Sequence, residues 1–582
     1  MFITFYTKNK RSKYLKFLLL SFALVVSIAP NMLAQPIPIG GIKDQQYRTL
    51  QLLSDSTIQV SLMNRPIWEH TYRKIFDQKK IQYYSNSWWA NPLESYEKHL
   101  HGSWKVGIYT PVLTNTFNTM LPYGGNNGSA WYGRGLTTEL QGGFYITSKY
   151  VTATFRPHLT YVQNKNFQVP HFIPRNSDGS PKYASIIGDI DMPYRFGPNP
   201  YTDFNFGLTS LRVHYKSLEA GLSNGTMWWG PGIKNALLLS NNAPGLKHAF
   251  IGTRAPITLP LGIGKFEFKI LAAEPKDSKY FHTTPATNHQ RFYTAFNLIY
   301  SPGFAPNLNI GYGSFSERYL PASGLSLSDF KTAIPIINRR QVGGQNGSNR
   351  LISFYLRWAF PGSDAEVYGA YYRDDSFANI RDLFIEPNHD RAYTVGFQKV
   401  VENPGGWFNL FKINGELSSL LPARVGVVRP QTYFYTHSVI KQGHTNHGQL
   451  LGAAIGPGST SQYLGADGYF KKGKIGLFLQ RVAKNNFFYF SYYRFYYLAK
   501  YANYPYTQTS TKDIYHNRVN LNIGLTGRYQ IGSLMLGGKI VWNKNFNYGR
   551  FNYGKFSNYN FSTVPKHDVL NMQFQLSVRY YF

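Results

Sequence analysis

Residues 573–582 alternate without a break: Phe574, Leu576, Val578, Tyr580 and Phe582 fall on one face of an extended chain, and Gln573, Gln575, Ser577, Arg579 and Tyr581 on the other. Successive side chains of a strand point to opposite faces, so the pattern asks for an apolar surrounding on one side and a polar one on the other. No segment after residue 29 comes near the ~20 uninterrupted apolar residues a membrane-spanning helix needs. Any passage through a bilayer is therefore by strands. Strands cross only as a closed barrel, because lipid offers no partner to an unpaired backbone group. A soluble sandwich strand could alternate in the same way, and the loops separate the two readings.

Val519, Leu521, Ile523, Leu525 and Tyr529 alternate with Asn520, Asn522, Gly524, Thr526 and Arg528, and the pattern resumes through Leu534, Leu536, Ile540 and Trp542 after a tight turn at residues 530–533. Counting back from Phe582, the connections are long at 546–567, short at 530–533, long at 486–514, short at 471–474, long at 421–446, short at 403–407, long at 374–390, short at 361–364 and long at 316–349. Long loops on one side and short turns on the other are the arrangement of outer-membrane barrels, the short turns being periplasmic. From residue 100 onward roughly 18 segments show strand patterning, among them 102–112, 134–147, 149–162 and 205–215. Aromatic residues gather near strand ends, as at 487–498 (FFYFSYYRFYYL), where rings would sit at headgroup depth.

Two segments precede the barrel, which is expected over residues 101–582. Lys8, Lys10, Arg11, Lys13 and Lys16 lead into the apolar run of residues 17–29, followed by Met32-Leu33-Ala34; this predicts a signal peptide over residues 1–34 and export. Residues 35–100 read as a periplasmic or lumenal segment. Within it Ile67, Trp68, Tyr72, Ile75 and Phe76 predict a short amphipathic helix in residues 65–80.

Charged residues make up only 15% of the chain, against about 25% in soluble proteins. The remaining charge is lopsided, with 61 Lys and Arg against 29 Asp and Glu and a formal net charge of +32. Such an excess attracts anionic polymers, and in this compartment acidic polysaccharide or lipopolysaccharide phosphate fits, whereas nucleic acid does not. The absence of cysteine excludes a disulfide scaffold, a thiol nucleophile and Cys-ligated zinc.

At residues 221–273 the sequence reads GLSNGTMWWGPGIKNALLLSNNAPGLKHAFIGTRAPITLPLGIGKFEFKILAA. Here it resembles the Wzi capsule-assembly family of outer-membrane proteins, and is similar to members from Bacteroidetes-like bacteria. The motif residues are Trp228, Trp229, Gly230, Pro231 and Gly232, then Ser240, Asn241, Asn242, Pro244 and Gly245. Residues 46–66, 122–135 (PYGGNNGSAWYGRG), Arg156-Pro157, Gln163-Asn164 and 210–212 agree in order, so the resemblance spans residues 46–275 by motif. Asn127, where an acidic residue is expected, and Trp131-Tyr132 depart from it. The resemblance implies a barrel of about 18 strands and a role in holding capsular polysaccharide at the cell surface. It also implies a helical plug, although a full one is not evident in the sequence.

Trp228 and Trp229 can be read as a stacking platform for sugar rings, an indole offering a wide apolar face. The surrounding glycines and proline equally suggest a tight turn whose tryptophans pack in the lumen. Arg339, Arg340 and Arg350 fall in the long loop 316–349, where guanidinium groups could engage carboxylates at the cell surface; lumenal cations tuning an anion-selective pore are the alternative. Catalysis finds little support. The close histidine pairs His99/His101 and His444/His447 read as exposed loop residues, and Asp189 and Asp191 have no acidic cluster around them for calcium. No phosphate loop or nucleophile elbow occurs. The expectation is thus an all-β transmembrane outer-membrane barrel of about 18 antiparallel strands, without catalytic residues, metal or cofactor, that binds polysaccharide and assists capsule assembly or attachment. A porin-like channel for small anionic or sugar solutes is the alternative, and a soluble secreted glycan-binding β-protein a third reading.

Overall fold

The computed structural model describes residues 36–54, 57, 60–69, 75–76, 78–90, 96–100, 102–169, 190–281, 290–320, 348–374, 380–422, 434–485, 518–548 and 568–582. The expected signal peptide and the aromatic stretch 487–498 lie outside these residues. Eighteen antiparallel strands close into a barrel. They are β1 (Lys105–Asn118), β2 (Gly135–Thr147), β3 (Val151–Phe155 and His158–Val162), β4 (Tyr201–Asn205 and Ser210–Tyr215), β5 (Leu218–Ser223), β6 (Lys247–Thr253), β7 (Gly264–Glu274), β8 (Arg291–Pro302) and β9 (Leu308–Tyr319). The second half comprises β10 (Ser348–Phe360), β11 (Ala365–Asp374), β12 (Arg391–Glu402), β13 (Leu410–Ser419), β14 (Thr460–Phe470), β15 (Gly473–Ala483), β16 (Val519–Ile531), β17 (Leu534–Phe546) and β18 (Val569–Tyr580). Closure comes from β18 against β1, in register from Gln573 opposite Asn118 to Arg579 opposite Val112.

The alternation sorts the side chains as the barrel requires. Leu525, Phe574 and Leu576 are 51%, 44% and 57% exposed on the outer face, whereas Asn522 and Gln573 are buried inside. A soluble protein would bury the first set and expose the second, so the polar side chains mark the lumen and the apolar ones face lipid. Aromatic rings collect at the end with the short turns: Trp407 stacks on Phe470 at 5.2 Å, Phe470 contacts Tyr529, and Tyr580 meets Phe582.

The long–short parity of the connections holds throughout, with changed boundaries. β1 runs on to Asn118, past the 102–112 predicted for it, and β9 and β10 extend to Tyr319 and from Ser348, shortening the loop between them.

The lumen is not empty. The segment before β1 lies inside the barrel at the short-turn end, where Ile37, Leu50, Leu52, Leu53, Trp88 and Trp89 pack with Ala359, Val400, Leu410 and Tyr469 of the wall. Its helix is α1 (Ile42–Leu53), begun at Gly41, with Gly40 N–H donating to the Asp44 carboxylate at 3.0 Å. Only part of residues 65–80, where a short helix is predicted, is described. Arg65 lies in a two-residue strand, Trp68 bridges to Pro36, Glu69 is helical, residues 70–74 are not among the described residues, Ile75 and Phe76 form a turn, and a further short helix begins at Lys79. Ile67, Trp68 and Ile75 are buried within the barrel.

Candidate functional site

Three connections from the long-loop side turn inward and interlock: residues 119–134, 224–246 and 434–459. Glu416 of β13 fixes the middle one. Its carboxylate accepts the backbone N–H groups of Ile233, Lys234 and Asn235 at 2.6, 3.0 and 2.8 Å. Successive N–H groups turned to one side form an anion nest, here filled by the protein's own carboxylate. Tyr368 donates its hydroxyl to the same group at 3.0 Å.

The family motif supplies the joints of this assembly. Trp229 pairs with Asn64 and Trp228 with Arg65, so the loop forms a two-residue ladder with the lumenal segment. Trp229 N–H donates to Leu239 O, and Gly230 N–H to Met63 O. Gly230 needs its glycine for a φ of +103°. Ser240 donates its N–H to Leu451 O (2.7 Å) and its hydroxyl to Gly452 O (2.6 Å). Asn242 donates to Leu450 O and accepts the N–H of Asn126; Asn241 donates to Asn126 O; Pro244 O accepts from Asn446. At Gly245 a Cβ would stand 1.9 Å from Asn224 O.

Trp228 and Trp229 are therefore interior residues, 4% and 0% exposed. The Arg65 guanidinium lies 4.9 Å above the Trp228 ring, whose Nε1–H donates to Gly232 O. Trp229 belongs to a core with Met63, Leu237, Leu238, Leu239 and Tyr355. Neither ring presents a face to a ligand in this arrangement.

What does reach the outer mouth is a polar floor. Asn126, Asn127, Gly128, Asn241 and Asn242 are partly exposed and Gly124 and Gly125 exposed. Beside them Lys234 Nζ sits 4.2 Å from the Tyr463 ring centre, and Lys539 Nζ lies 5.8 Å from that of Tyr123. Amide side chains beside cation-backed aromatic rings suit hydroxyl-rich or acidic sugars. Of these residues, the asparagines lay in sequence segments that carried the family resemblance. Lys234 lay in the 221–273 stretch as well, whereas Tyr463 and Lys539 had no signal of their own, since only the closed barrel brings β14 and β17 up to the loop.

Other expected residues are scattered. Arg339 and Arg340 lie outside the described residues. Arg350 is not in a loop but in β10, opposite Ser316 of β9, because these strands extend beyond the expected boundary. His99 is exposed at the end of a short strand, His101 is not described, and His447 is exposed. His444, expected to be exposed, is fully buried, stacked against Tyr435 at 5.5 Å and bonded through Nε2 to Leu238 O at 2.7 Å. Asp189 is not described, and Asp191 accepts the N–H and hydroxyl of Ser278. No group of three or more His, Asp or Glu suited to a metal occurs among the described residues.

One hydrogen-bonded chain has the residue types of a hydrolase: Ser129 Oγ to His158 Nδ1 at 2.8 Å, and His158 Nε2 to Glu139 at 2.8 Å. The N–H groups flanking Ser129 are already taken, Gly128 by Asn241 O and Ala130 by Asn127 O, so neither is free to stabilise an oxyanion. The chain fastens the 119–134 loop to the wall.

Burial holds the His444 imidazole neutral, pushing its pKa down to about 4 from 6.5, with Arg291 adding repulsion. Below pH 6.5 the unfolded chain takes up a proton that the folded loop refuses until about pH 4. Stability is thus complete above 6.5 and falls as pH drops from about 6.5 to 4, by about 3 kcal/mol at the lower end. Thermal unfolding in detergent across this range should show the slope, and His444→Gln should flatten it. A variant with the wild-type slope would refute the assignment.

The model of the family described as capsule assembly protein Wzi matches residues 123–525. No curated protein matches the sequence. Among solved structures, the chain is similar to an Escherichia coli outer-membrane protein involved in group 1 capsule assembly and described as a carbohydrate-binding β-barrel. Identity there is 12% and the TM-score 0.57, over 94% of this chain and 99% of that one. It also resembles OccAB4 of Acinetobacter baumannii (11% identity, TM-score 0.35, 84% and 99% covered) and OccK2 of Pseudomonas aeruginosa (9%, 0.39, 83% and 99%).

Proposed function

The chain belongs to the Wzi capsule-assembly family, and from that premise we propose that it is an outer-membrane barrel that binds surface polysaccharide and assists capsule assembly or attachment of the polymer to the cell. The observation that carries this reading is the rigid floor of asparagine and glycine at the outer mouth, held from below by Glu416 and the motif tryptophans. Each contact of such a floor with a sugar is weak. A repeating polymer offers the same group many times, so contacts on one barrel and its neighbours add through effective concentration without a deep pocket. Arg339 and Arg340, in the loop after β9, would add charge contacts if the polymer is acidic. Trp228 and Trp229 serve by holding the floor in place, and no bond need be made or broken. Export would rest on the N-terminal basic and apolar run, and the basic surface would also meet lipopolysaccharide phosphate.

The solute-channel alternative needs an open lumen, and the packed segment around α1 together with the inward loops argues against one. The test is the ratio of cell-attached to released polysaccharide in a strain lacking the protein, beside a complemented strain. Polymer shed into the medium at unchanged total synthesis is the expected result. An unchanged ratio with altered solute uptake would sink the proposal in favour of a channel.

A further inference from the structure

The lumen's cations fall into two groups. Six of them meet carboxylates: Arg212 and Lys269 share Glu219 at 3.0 and 3.2 Å, Arg357 and Arg48 share Glu366, and Lys412 and Lys474 share Asp467. By contrast, Arg156 beside β3, Arg528 of β16 and Arg579 of β18 have no carboxylate partner among the described residues. Arg156 donates to the amide oxygen of Gln141 at 2.9 Å and Arg528 only distantly to Gln45. Arg528 and Arg156 both repel Arg579. Three guanidinium groups converging without a counter-charge is an unfavourable arrangement that an anion would relieve.

A hollow lies where that anion would go. Arg156, Arg579, Lys43, Tyr109, Tyr581 and the start of α1 border a cleft of about 80 Å³ near the short-turn end of the barrel. The only acid bordering it, Glu69, is already bonded to Lys43 at 2.9 Å. The Tyr109 hydroxyl is buried without a hydrogen-bond partner, although its ring is 4% exposed and lies under the Arg156 guanidinium. A buried unsatisfied hydroxyl costs free energy that a ligand oxygen would recover. Since a water takes up roughly 30 Å³, the cleft has room for one small anionic group and little else.

We propose that this cleft binds a carboxylate or phosphate group, gripped by the forked guanidinium groups of Arg156 and Arg579, with Tyr109 donating its hydroxyl and Arg528 adding attraction. Arginine suits this task because its planar donors match both oxygens of such a group. The chemistry is common to an acidic sugar and to a phosphate-bearing molecule. The assignment deepens the polysaccharide-binding reading in that only the identity of the carrier rests on that reading; the anion site itself does not.

The test is calorimetric titration of the full-length protein in neutral detergent with glucuronate, inorganic phosphate and glucose. At least one of the two anions should bind, more weakly as salt rises, and glucose should not. Glucuronate binding assigns the site to an acidic sugar; phosphate binding alone assigns it to a phosphate-bearing molecule; both support an anion site. The double variant Arg156→Gln/Arg579→Gln, checked for folding by its heat-dependent migration, should bind the anion at least tenfold more weakly. If that variant does not fold, Arg579→Lys keeps the charge, loses the fork, and should still weaken binding several-fold. Equal binding of glucose and glucuronate, no anion binding, or a folded variant with wild-type affinity overturns the proposal. None of these readouts depends on polymer retention by cells, so a failure here is distinguishable from a failure of the capsule role.

Discussion

Glu366→Ala is expected to destabilise the protein by about 3–5 kcal/mol, the range for removing one partner of a buried ion pair. The carboxylate is 0% exposed and accepts from Arg357 Nε at 2.9 Å, Arg357 Nη2 at 2.5 Å, Arg48 Nε at 2.7 Å and Gln398 at 2.7 Å. Without it two guanidinium groups remain in the barrel, facing each other. Arg48 sits on α1 and Arg357 also donates to Ser61 O, so both belong to the attachment of the lumenal segment to the wall. The loss should therefore appear first as release of that segment: protease cleavage within residues 36–54 before the barrel itself melts. Glu366→Gln retains an acceptor oxygen and should cost less. A Glu366→Ala protein that melts with the wild type and resists protease would show that the segment is held by its apolar contacts alone.

Trp229→Ala should cost about 3–5 kcal/mol as well, by a different route: a large side chain removed from a closed core leaves a cavity that its neighbours only partly fill. Trp229 is fully buried among Met63, Leu237, Leu238, Leu239 and Tyr355, and its backbone joins the lumenal segment to the motif loop. Polymer retention is expected to fall with stability. Trp229→Leu separates packing from ligand stacking, because leucine restores apolar volume without an aromatic face. Thermal unfolding and cell-attached polymer should recover together in that variant; recovery of folding without recovery of polymer would return Trp229 to the ligand.

The barrel was legible because its rules are local. Each strand is exposed to lipid on one side and to a polar lumen on the other, so Phe574/Gln573 and Leu525/Asn522 display the pattern in the sequence itself. The interior was not. α1 escaped notice because it lies against a polar wall and buries Asp44, Gln46, Arg48 and Gln51 together with its leucines, which erases the apolar stripe by which a helix is recognised. The motif loop was visible as a motif, its tryptophans already readable as lumenal, but the rule that long loops run over the surface hid the inward course of residues 434–459. His444 failed with it. The arginine cluster beside α1 draws on strands and a segment far apart in sequence, and no spacing could have announced it.

The tie between Arg48 and Glu366 spans 318 residues, and those from Tyr84 to Glu402 and from Trp89 to Asn409 span 318 and 320. Closing such loops is not expensive at equilibrium, because each doubling of length adds only about 0.6 kcal/mol. It is a matter of sequence in time. Synthesis delivers α1 early and its anchors on β11–β13 late, so the segment has no seat until most of the wall exists. Strand β18 comes last and pairs with β1, so the final pairing shuts the α1 segment inside.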